Sequence, residues 1–254
     1  MHHLNPFLIA IIVFVSLFSA AALGIALRAR LPDHHLKDDT KESVRIGMGS
    51  VATMAALVLG LLVASTKSAY DTEKSEVMQM AAKLVYLDQV LSDYGPEATE
   101  TRHLLRRSTS AAIGRMWPEM KVASGAMAPD KSWSRSLPQL IQKLTPTNDA
   151  QRMFKSQAAA LANELGQMRW LLFEQMDSAI SMPLLVIMVF WLALTFMSVG
   201  LFAPANATAL AAQFFAALSV AGAVFLILEL DQPFEGLVKI SSHPMTNALE
   251  HLER

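Results

Sequence analysis

The stretch RIGMGSVATMAALVLGLLVASTK, residues 45–67, has no charged residue between Arg45 and Lys67. At about 1.5 Å per residue, a helix of this length spans the roughly 30 Å hydrocarbon core of a bilayer. The segment Ile46–Thr66 is therefore predicted to be a transmembrane helix.

This helix is not expected to end at the membrane edge. Neither glycine nor proline follows it until Gly95-Pro96, and apolar residues recur with the spacing of an amphipathic helix. The apolar stripe consists of Val77, Met80, Leu84, Leu87, Leu91 and Tyr94. We predict that the second span continues outside the membrane as far as Tyr94.

Two other regions are long and apolar enough to cross a bilayer. Phe7–Leu27 is uncharged; a cleaved signal peptide is the alternative, but no Lys or Arg precedes the run, and it is longer than a usual signal core. Residues 178–228 are also uncharged, which allows two spans joined by a turn at Ala203–Asn206. The sequence thus predicts four transmembrane helices in two hairpins.

The composition agrees with a membrane protein. Of the 254 residues, 53% are hydrophobic and 17% are charged, whereas soluble domains have about 25% charged residues. The formal net charge of −1 provides no basic field for a nucleic-acid partner. The absence of cysteine excludes disulfides, thiolate nucleophiles and cysteine-based metal sites.

We therefore expect an all-α membrane protein whose extramembrane region is helical and is formed by extensions of the second and third spans. The expected division is 1–66 for the first hairpin, 67–179 for the helical region, 180–230 for the second hairpin and 231–254 for an acidic C-terminal tail.

Within the helical region, Glu97–Trp117 and Pro138–Leu144 are predicted helices, residues 118–137 are a predicted loop, and a further helix leads from Asp149 toward the third span. The expected apolar side of the first of these helices is formed by Leu104, Leu105, Ala112 and Met116.

Because each hairpin returns the chain to the side it left, both termini and the helical region are expected on one side of the membrane. Lys and Arg near the span ends are equally numerous on the two sides, so the positive-inside rule does not choose between orientations. The first helix alone, followed by Arg28 and Arg30, favours a cytoplasmic loop after it.

The sequence has no constellation that predicts catalysis. The histidines lack metal-ligand spacing, and no nucleotide-binding or hydrolase motif is present. The apolar spans contain no ionisable side chain, which counts against a proton-coupled pump and is compatible with a passive pore. We expect no enzyme activity, no cofactor and no metal site.

The second span carries small residues at every fourth position: Ala52, Ala56, Gly60 and Ala64. Such spacing lets helices approach closely, and helix packing is the simplest interpretation of Ala52, Ala56 and Gly60. A functional interpretation adds that the adjacent face, with Thr53, Leu57 and Leu61, projects into a pore.

The tail begins with Glu229-Leu230-Asp231-Gln232-Pro233-Phe234. A solvated acidic helix end is the simpler interpretation of these residues. The alternative is a clasp formed by Glu229, Asp231, Pro233 and Phe234 against the helical region, because an aromatic ring beside a rigid proline favours apolar cover. We expect Phe234 to be buried.

Two segments resemble bestrophins. Gly60–Asp71 is similar to the apolar helix that leads into an Ala-Tyr-Asp-like segment, and Leu228–Gly236 resembles the acidic Pro-Phe-Gly segment after the last span. The whole chain looks more closely like the bacterial bestrophin-like proteins grouped as domain of unknown function DUF4239. The segments that carry this likeness are Leu31–Leu36, Leu87–Leu91, Tyr94–Glu97 and Ile227–Phe234.

The resemblance implies an oligomeric ion channel, most simply a pentamer, with the second span around a central pore. Aligning Leu59–Leu61 with the bestrophin neck implies that Thr53, Leu57 and Leu61 form the neck, and Ala64 is also expected to line the pore. Aligning Ala69–Asp71 places Ala56, Gly60 and Ala64 there instead. We favour the leucines, because bulky apolar rings gate by excluding water.

Lys67 and Lys74 would give the pore mouth positive charge and slightly favour anions; ordinary lysines flanking a span are the simpler interpretation. Bestrophins have Arg-Trp-Trp after the Ala-Tyr-Asp-like segment, whereas Thr72-Glu73-Lys74 stands here.

The resemblance also implies a bacterial inner-membrane location with termini and helical region in the cytoplasm. The expected partners are the lipid bilayer, further copies of this chain and a permeant inorganic ion. A non-conducting membrane scaffold, whose helical region docks a partner, is the alternative function.

Overall fold

A computed structural model describes residues 5–32, 38–117, 133–175, 182–204 and 206–253. These residues form eight α-helices, one 3-10 helix and no strand, so the predicted all-α class is confirmed. The helices are α1 (Pro6–Arg28), α2 (Asp38–Tyr94), the 3-10 helix Pro96–Ala98, α3 (Thr99–Met116), α4 (Trp133–Lys143), α5 (Asp149–Gln175), α6 (Met182–Phe202), α7 (Ala207–Leu230) and α8 (His243–His251).

Four of the described helices, α1, α2, α6 and α7, are long and apolar enough to cross a membrane. The chain forms two compact units, a membrane unit of residues 1–70 and 179–232 and a helical unit of residues 71–178 and 233–254. Helix α2 contributes to both units. It ends before Gly95, whose φ of 121° lies in the left-handed region that favours glycine.

In the membrane unit, helix α1 packs against α6 and α7. The approach to α6 is closest at two glycines: a Cβ added at Gly24 would lie 2.1 Å from the Met197 carbonyl oxygen, and one added at Gly200 would lie 2.2 Å from the Ala21 carbonyl oxygen. At the end of α1, the Arg28 guanidinium donates a hydrogen bond to the Ala203 carbonyl. Because the C-terminal end of α1 thereby meets the C-terminal end of α6, the two helices are parallel.

Helix α7 runs antiparallel to α1. The ring of Phe7 meets Phe225 edge to face with centroids 6.5 Å apart, whereas Phe14 and Phe18, later in α1, meet Phe214, earlier in α7. Parallel α1 and α6 with an antiparallel α7 are the helix directions expected if the chain forms two transmembrane hairpins.

The helical unit is built on the apolar stripe of α2. All six stripe residues predicted from the sequence, Val77 to Tyr94, are buried. Beside the stripe, the buried Asp88 carboxylate accepts two hydrogen bonds from Arg102 of α3, at 2.7 and 2.8 Å. The extension of the second span is therefore a packed helix of the helical unit.

The structure differs from the sequence prediction at helices α4 and α8, and two further predictions fall largely outside its described part. Helix α4 begins at Trp133, so the predicted start at Pro138 is wrong: the proline lies inside the helix. Helix α8 was not expected. The predicted loop falls largely on residues 118–132 and the junction between α5 and α6 on residues 176–181, which lie outside the described residues.

Candidate pore-lining helix

Of the four candidate spans in the described chain, the second is the most exposed. Of the 18 residues in the apolar stretch of α2, 11% are buried inside the chain. The corresponding buried share is 33% in α1 and 22% in each of α6 and α7. An apolar helix this open must be covered by lipid or by another protein surface.

One face of this span packs inside the chain. Ala55, Leu62 and Thr66 are buried, and Val58 and Leu59 pack against the core of the membrane unit. The Thr66 hydroxyl donates to the Leu62 carbonyl at 2.8 Å, so its burial leaves no unsatisfied donor.

The opposite face carries the predicted neck. Leu57 is 70% exposed and Leu61 is 67% exposed, and Thr53 and Ala64 are also exposed. At about 100° per residue, these side chains point nearly opposite to the buried ones. The Thr53 hydroxyl donates to Gly49 of its own helix at 2.9 Å, which lowers the cost of placing it in an apolar surrounding.

The small residues lie between these two faces. Ala52 is half-buried, whereas Ala56 and Gly60 are exposed, and a Cβ added at Gly60 would meet nothing within 4 Å. Inside a single chain, the packing face is thus formed by Ala55, Leu62 and their neighbours. A packing role for Ala56 and Gly60 requires a second molecule.

Both lysines assigned to the pore mouth are exposed. The Lys67 ammonium lies 5.5 Å from the centroid of the Tyr70 ring, a cation–π distance. Lys74 belongs to the helical unit and follows Glu73, which is buried.

The tail residues divide between the two units. Glu229 is buried in the last turn of α7, and Asp231 is half-buried. In the helical unit, Phe234 is buried and meets Trp117 edge to face with centroids 5.6 Å apart.

A short hydrogen-bonded loop holds this aromatic pair. The Ile240 amide donates to the Pro233 carbonyl at 2.6 Å, and the Trp117 indole donates to the Ile240 carbonyl at 2.8 Å. Sequence reasoning found Phe234 but missed Trp117 and Ile240 as its partners. The position of Trp117, directly before Pro118 and at the end of a predicted helix, is the signal that could have drawn attention to this residue.

Arg102, Tyr94 and Arg169, all outside the spans, have shifted pKa values. The hydrogen bond to Asp88 raises the pKa of Arg102. Burial, and then the charge of Glu97, raises the pKa of Tyr94. Burial, and then the charge of Arg115, lowers the pKa of Arg169. In the described part of the chain, no cluster of His, Asp and Glu could hold a metal ion.

These features define a multi-pass membrane protein with one largely open, apolar span. Residues 15–245 match the family model of the Bestrophin-like domain, and the chain belongs to this family. The family assignment made from sequence is thereby confirmed, and it places the chain among channel-like membrane proteins. A comparison with curated proteins finds no match.

Proposed function

We propose that this chain is the subunit of an oligomeric ion channel, most simply a pentamer, whose neck is lined by the second span. The observation that carries the proposal is the exposure of Leu57 and Leu61 on the face opposite the buried Ala55 and Leu62. A helix that anchors one face in its own subunit is free to direct the other toward a symmetry axis.

Leucine rings around such an axis would form an apolar constriction that ions cross poorly when it is dry. Thr53 and Ala64 continue this surface on either side. Ala52, Ala56 and Gly60 would seat the helix against a neighbouring copy, because small residues allow close approach of helix backbones.

The proposal includes a slight preference for anions, which depends on two lysines at the helical-unit end of this span. Lys67 and Lys74 would place a positive ring near the pore mouth in each assembly. The tail with Glu229, Asp231, Pro233 and Phe234 acts as a clasp that stabilises the base of the helical region, supported by the burial of Phe234 against Trp117.

The orientation belongs to the same proposal: a bacterial inner membrane, with termini and helical region in the cytoplasm. Reporter fusions after residue 254 test it directly. Cytoplasmic fluorescence agrees with the proposal, and periplasmic phosphatase activity without fluorescence contradicts it.

Ion flux from liposomes that carry the purified protein tests the channel. Leu57→Ala combined with Leu61→Ala is expected to raise basal flux, because the constriction widens. A matched control is Leu23→Ala with Leu27→Ala, two exposed leucines one turn apart on α1, for which flux should not change.

Flux that is absent in the wild type and in the widened variant, from correctly assembled protein, would reject the channel and favour the scaffold. One observation favours that alternative: an open groove lies between α3 and α4 on the helical unit. It is lined by Glu100, Leu104, Arg107, Gln139, Leu140 and Lys143.

A further inference from the structure

The groove between α3 and α4 is a feature of the helical unit that the proposed channel does not use. Its volume is about 260 Å³, just below the range of roughly 300–1,000 Å³ that is common for small-molecule sites. One water molecule takes about 30 Å³ in the liquid, so the groove holds the equivalent of several waters. A volume of this size suits a small molecule.

Two leucines form the apolar part of the groove. Leu104 of α3 and Leu140 of α4 line it, and both are half-buried. Each leucine precedes a fully buried residue of its own helix, Leu105 in α3 and Ile141 in α4. Both walls are therefore anchored in the core of the unit, and little ordering is required when a ligand binds.

The polar part of the groove carries two positive charges and one negative charge. Arg107, Lys143 and Glu100 line it, and all three are exposed. Within the described part of the chain, none of these side chains takes part in a hydrogen bond or an ion pair. Arg107 and Lys143 are thus available to a ligand, although a carboxylate opens onto the same groove.

Neighbouring cations are engaged elsewhere. Arg106 donates to Glu253 at 2.6 Å, and Lys155 donates to two carbonyls at the C-terminal end of α4, at 2.7 and 2.6 Å. Because Lys155 already satisfies these carbonyls, Lys143 is not needed to cap its own helix.

The acidic residue restricts where a ligand can carry its charge. Glu100 and Arg107 lie about two turns apart on one face of α3, which corresponds to roughly 10 Å along the helix axis. Glu100 repels a second negative charge at its own end of the groove. The charge pattern therefore favours a ligand whose negative charge is confined to one end.

We propose that this groove binds a small soluble organic anion with an apolar body. The anionic group, a phosphate or a carboxylate, lies on Arg107 and Lys143 through charge-assisted hydrogen bonds. The apolar body lies on the two leucines, where it is removed from water. The site needs only residues of the helical unit, so its failure leaves the channel proposal untouched.

Phenyl phosphate is a suitable probe, because it combines a phosphate with a flat apolar ring. Its binding to the full-length protein in a non-ionic detergent is measured by titration calorimetry. Inorganic phosphate serves as the anion without an apolar body, and benzyl alcohol serves as the neutral counterpart. Phenyl phosphate is expected to bind several-fold more tightly than either. Equal affinity for inorganic phosphate, or no binding of phenyl phosphate at millimolar concentration, would overturn the proposal.

The two cations are tested separately. Arg107→Gln and Lys143→Gln should each weaken the binding of phenyl phosphate about tenfold, the order expected for one lost charge-assisted hydrogen bond. Arg115→Gln is the matched control, because Arg115 is an exposed arginine of α3 that does not line the groove. Melting temperatures equal to that of the wild type verify that the variants fold. Equal losses of affinity in all three variants would place the anion elsewhere and overturn the site.

The role of the carboxylate has its own test. Glu100→Gln removes the repulsion and should tighten the binding of phenyl phosphate about two- to fivefold, the range expected for exposed charges. Weaker binding in this variant would contradict the proposed charge pattern. Competition from phosphatidylglycerol in vesicles would assign the groove to lipid headgroups and overturn the soluble ligand.

Discussion

The first and second spans have similar mean hydropathies, 2.7 and 2.2. Nevertheless, 33% of the apolar stretch of the first span is buried inside the chain, compared with 11% of that of the second. Glycine has a different role in each. Gly24 in α1 permits backbone contact with α6, whereas Gly60 in α2 faces open space in the single chain. Hydropathy identifies a span, but the arrangement of its neighbours decides whether it is structural core or an available surface.

The largest expected difference between the spans is in leucine truncation. Leu17→Ala removes a fully buried side chain of α1 and should cost about 2–5 kcal/mol of unfolding free energy. Leu57→Ala, at 70% exposure, should cost little in the dissociated chain. Denaturation in detergent measures both; an equal loss in the assembled protein would show that Leu57 is covered by another copy.

The next largest difference between the two spans is expected from the substitution of a glycine by alanine. Gly200→Ala drives a methyl group into the Ala21 backbone, which should cost about 1–3 kcal/mol because α1 and α6 must move apart. In the dissociated chain, Gly60→Ala meets nothing within 4 Å and should be neutral or slightly stabilising. Equal melting temperatures of the two variants would argue against the close approach of α1 and α6.

The extension of α2 offers a comparison between two ion pairs. Asp88→Ala leaves Arg102 without its buried partner and should cost about 2 kcal/mol, below the value for a fully buried pair, because a third of the Arg102 side chain is exposed. Glu164→Ala removes the partner of Lys83 in a more exposed ion pair. The expected loss of unfolding free energy is less than about 1 kcal/mol. Chemical denaturation checks the order of the two losses.

The smallest effect is expected at Tyr94, at the end of α2. Its buried hydroxyl has no hydrogen-bond partner among the described residues, so Tyr94→Phe should be neutral or stabilise the protein by about 1 kcal/mol at most.

The same substitution has a pH signature. Because the folded pKa of Tyr94 is raised, the folded state retains its proton longer than the unfolded chain does, and stability falls as the pH rises above the ordinary tyrosine pKa of about 10. The phenylalanine variant should show less of this loss; an unchanged alkaline profile of unfolding would contradict the assignment.

Strong periodicity made the extension of α2 predictable, because Val77 to Tyr94 form one apolar stripe and Gly95 ends the helix. The buried face of helix α3 was harder to predict from the sequence. Its buried face combines Leu105 and Ile113 with Thr101, Ser108 and Thr109, and the expected Leu104, Ala112 and Met116 are only half-buried. The hydroxyls of Ser108 and Thr109 donate to the Leu105 carbonyl, so they can be buried without apolar character.

Partners distant in sequence could not be predicted either. Nothing near Gly24 identifies Gly200 as its contact, and nothing near Phe234 identifies Trp117. Pro138 misled the prediction of α4 because proline is frequent in a first helical turn, whereas here it lies in the interior of the helix. The neck at Leu57 and Leu61 stays a prediction, since its cover lies outside the single chain.

The hydrogen bond from Arg28 to Ala203 has a consequence for biosynthesis. The two residues are 175 positions apart, which corresponds to about 9–35 s of translation at 5–20 residues per second. During this interval the first helix has entered the bilayer, but its structural partner α6 does not yet exist. Its glycine face must remain covered by lipid or by insertion factors until the second hairpin arrives, so delayed synthesis or loss of that hairpin exposes α1 to mispairing and to membrane proteases.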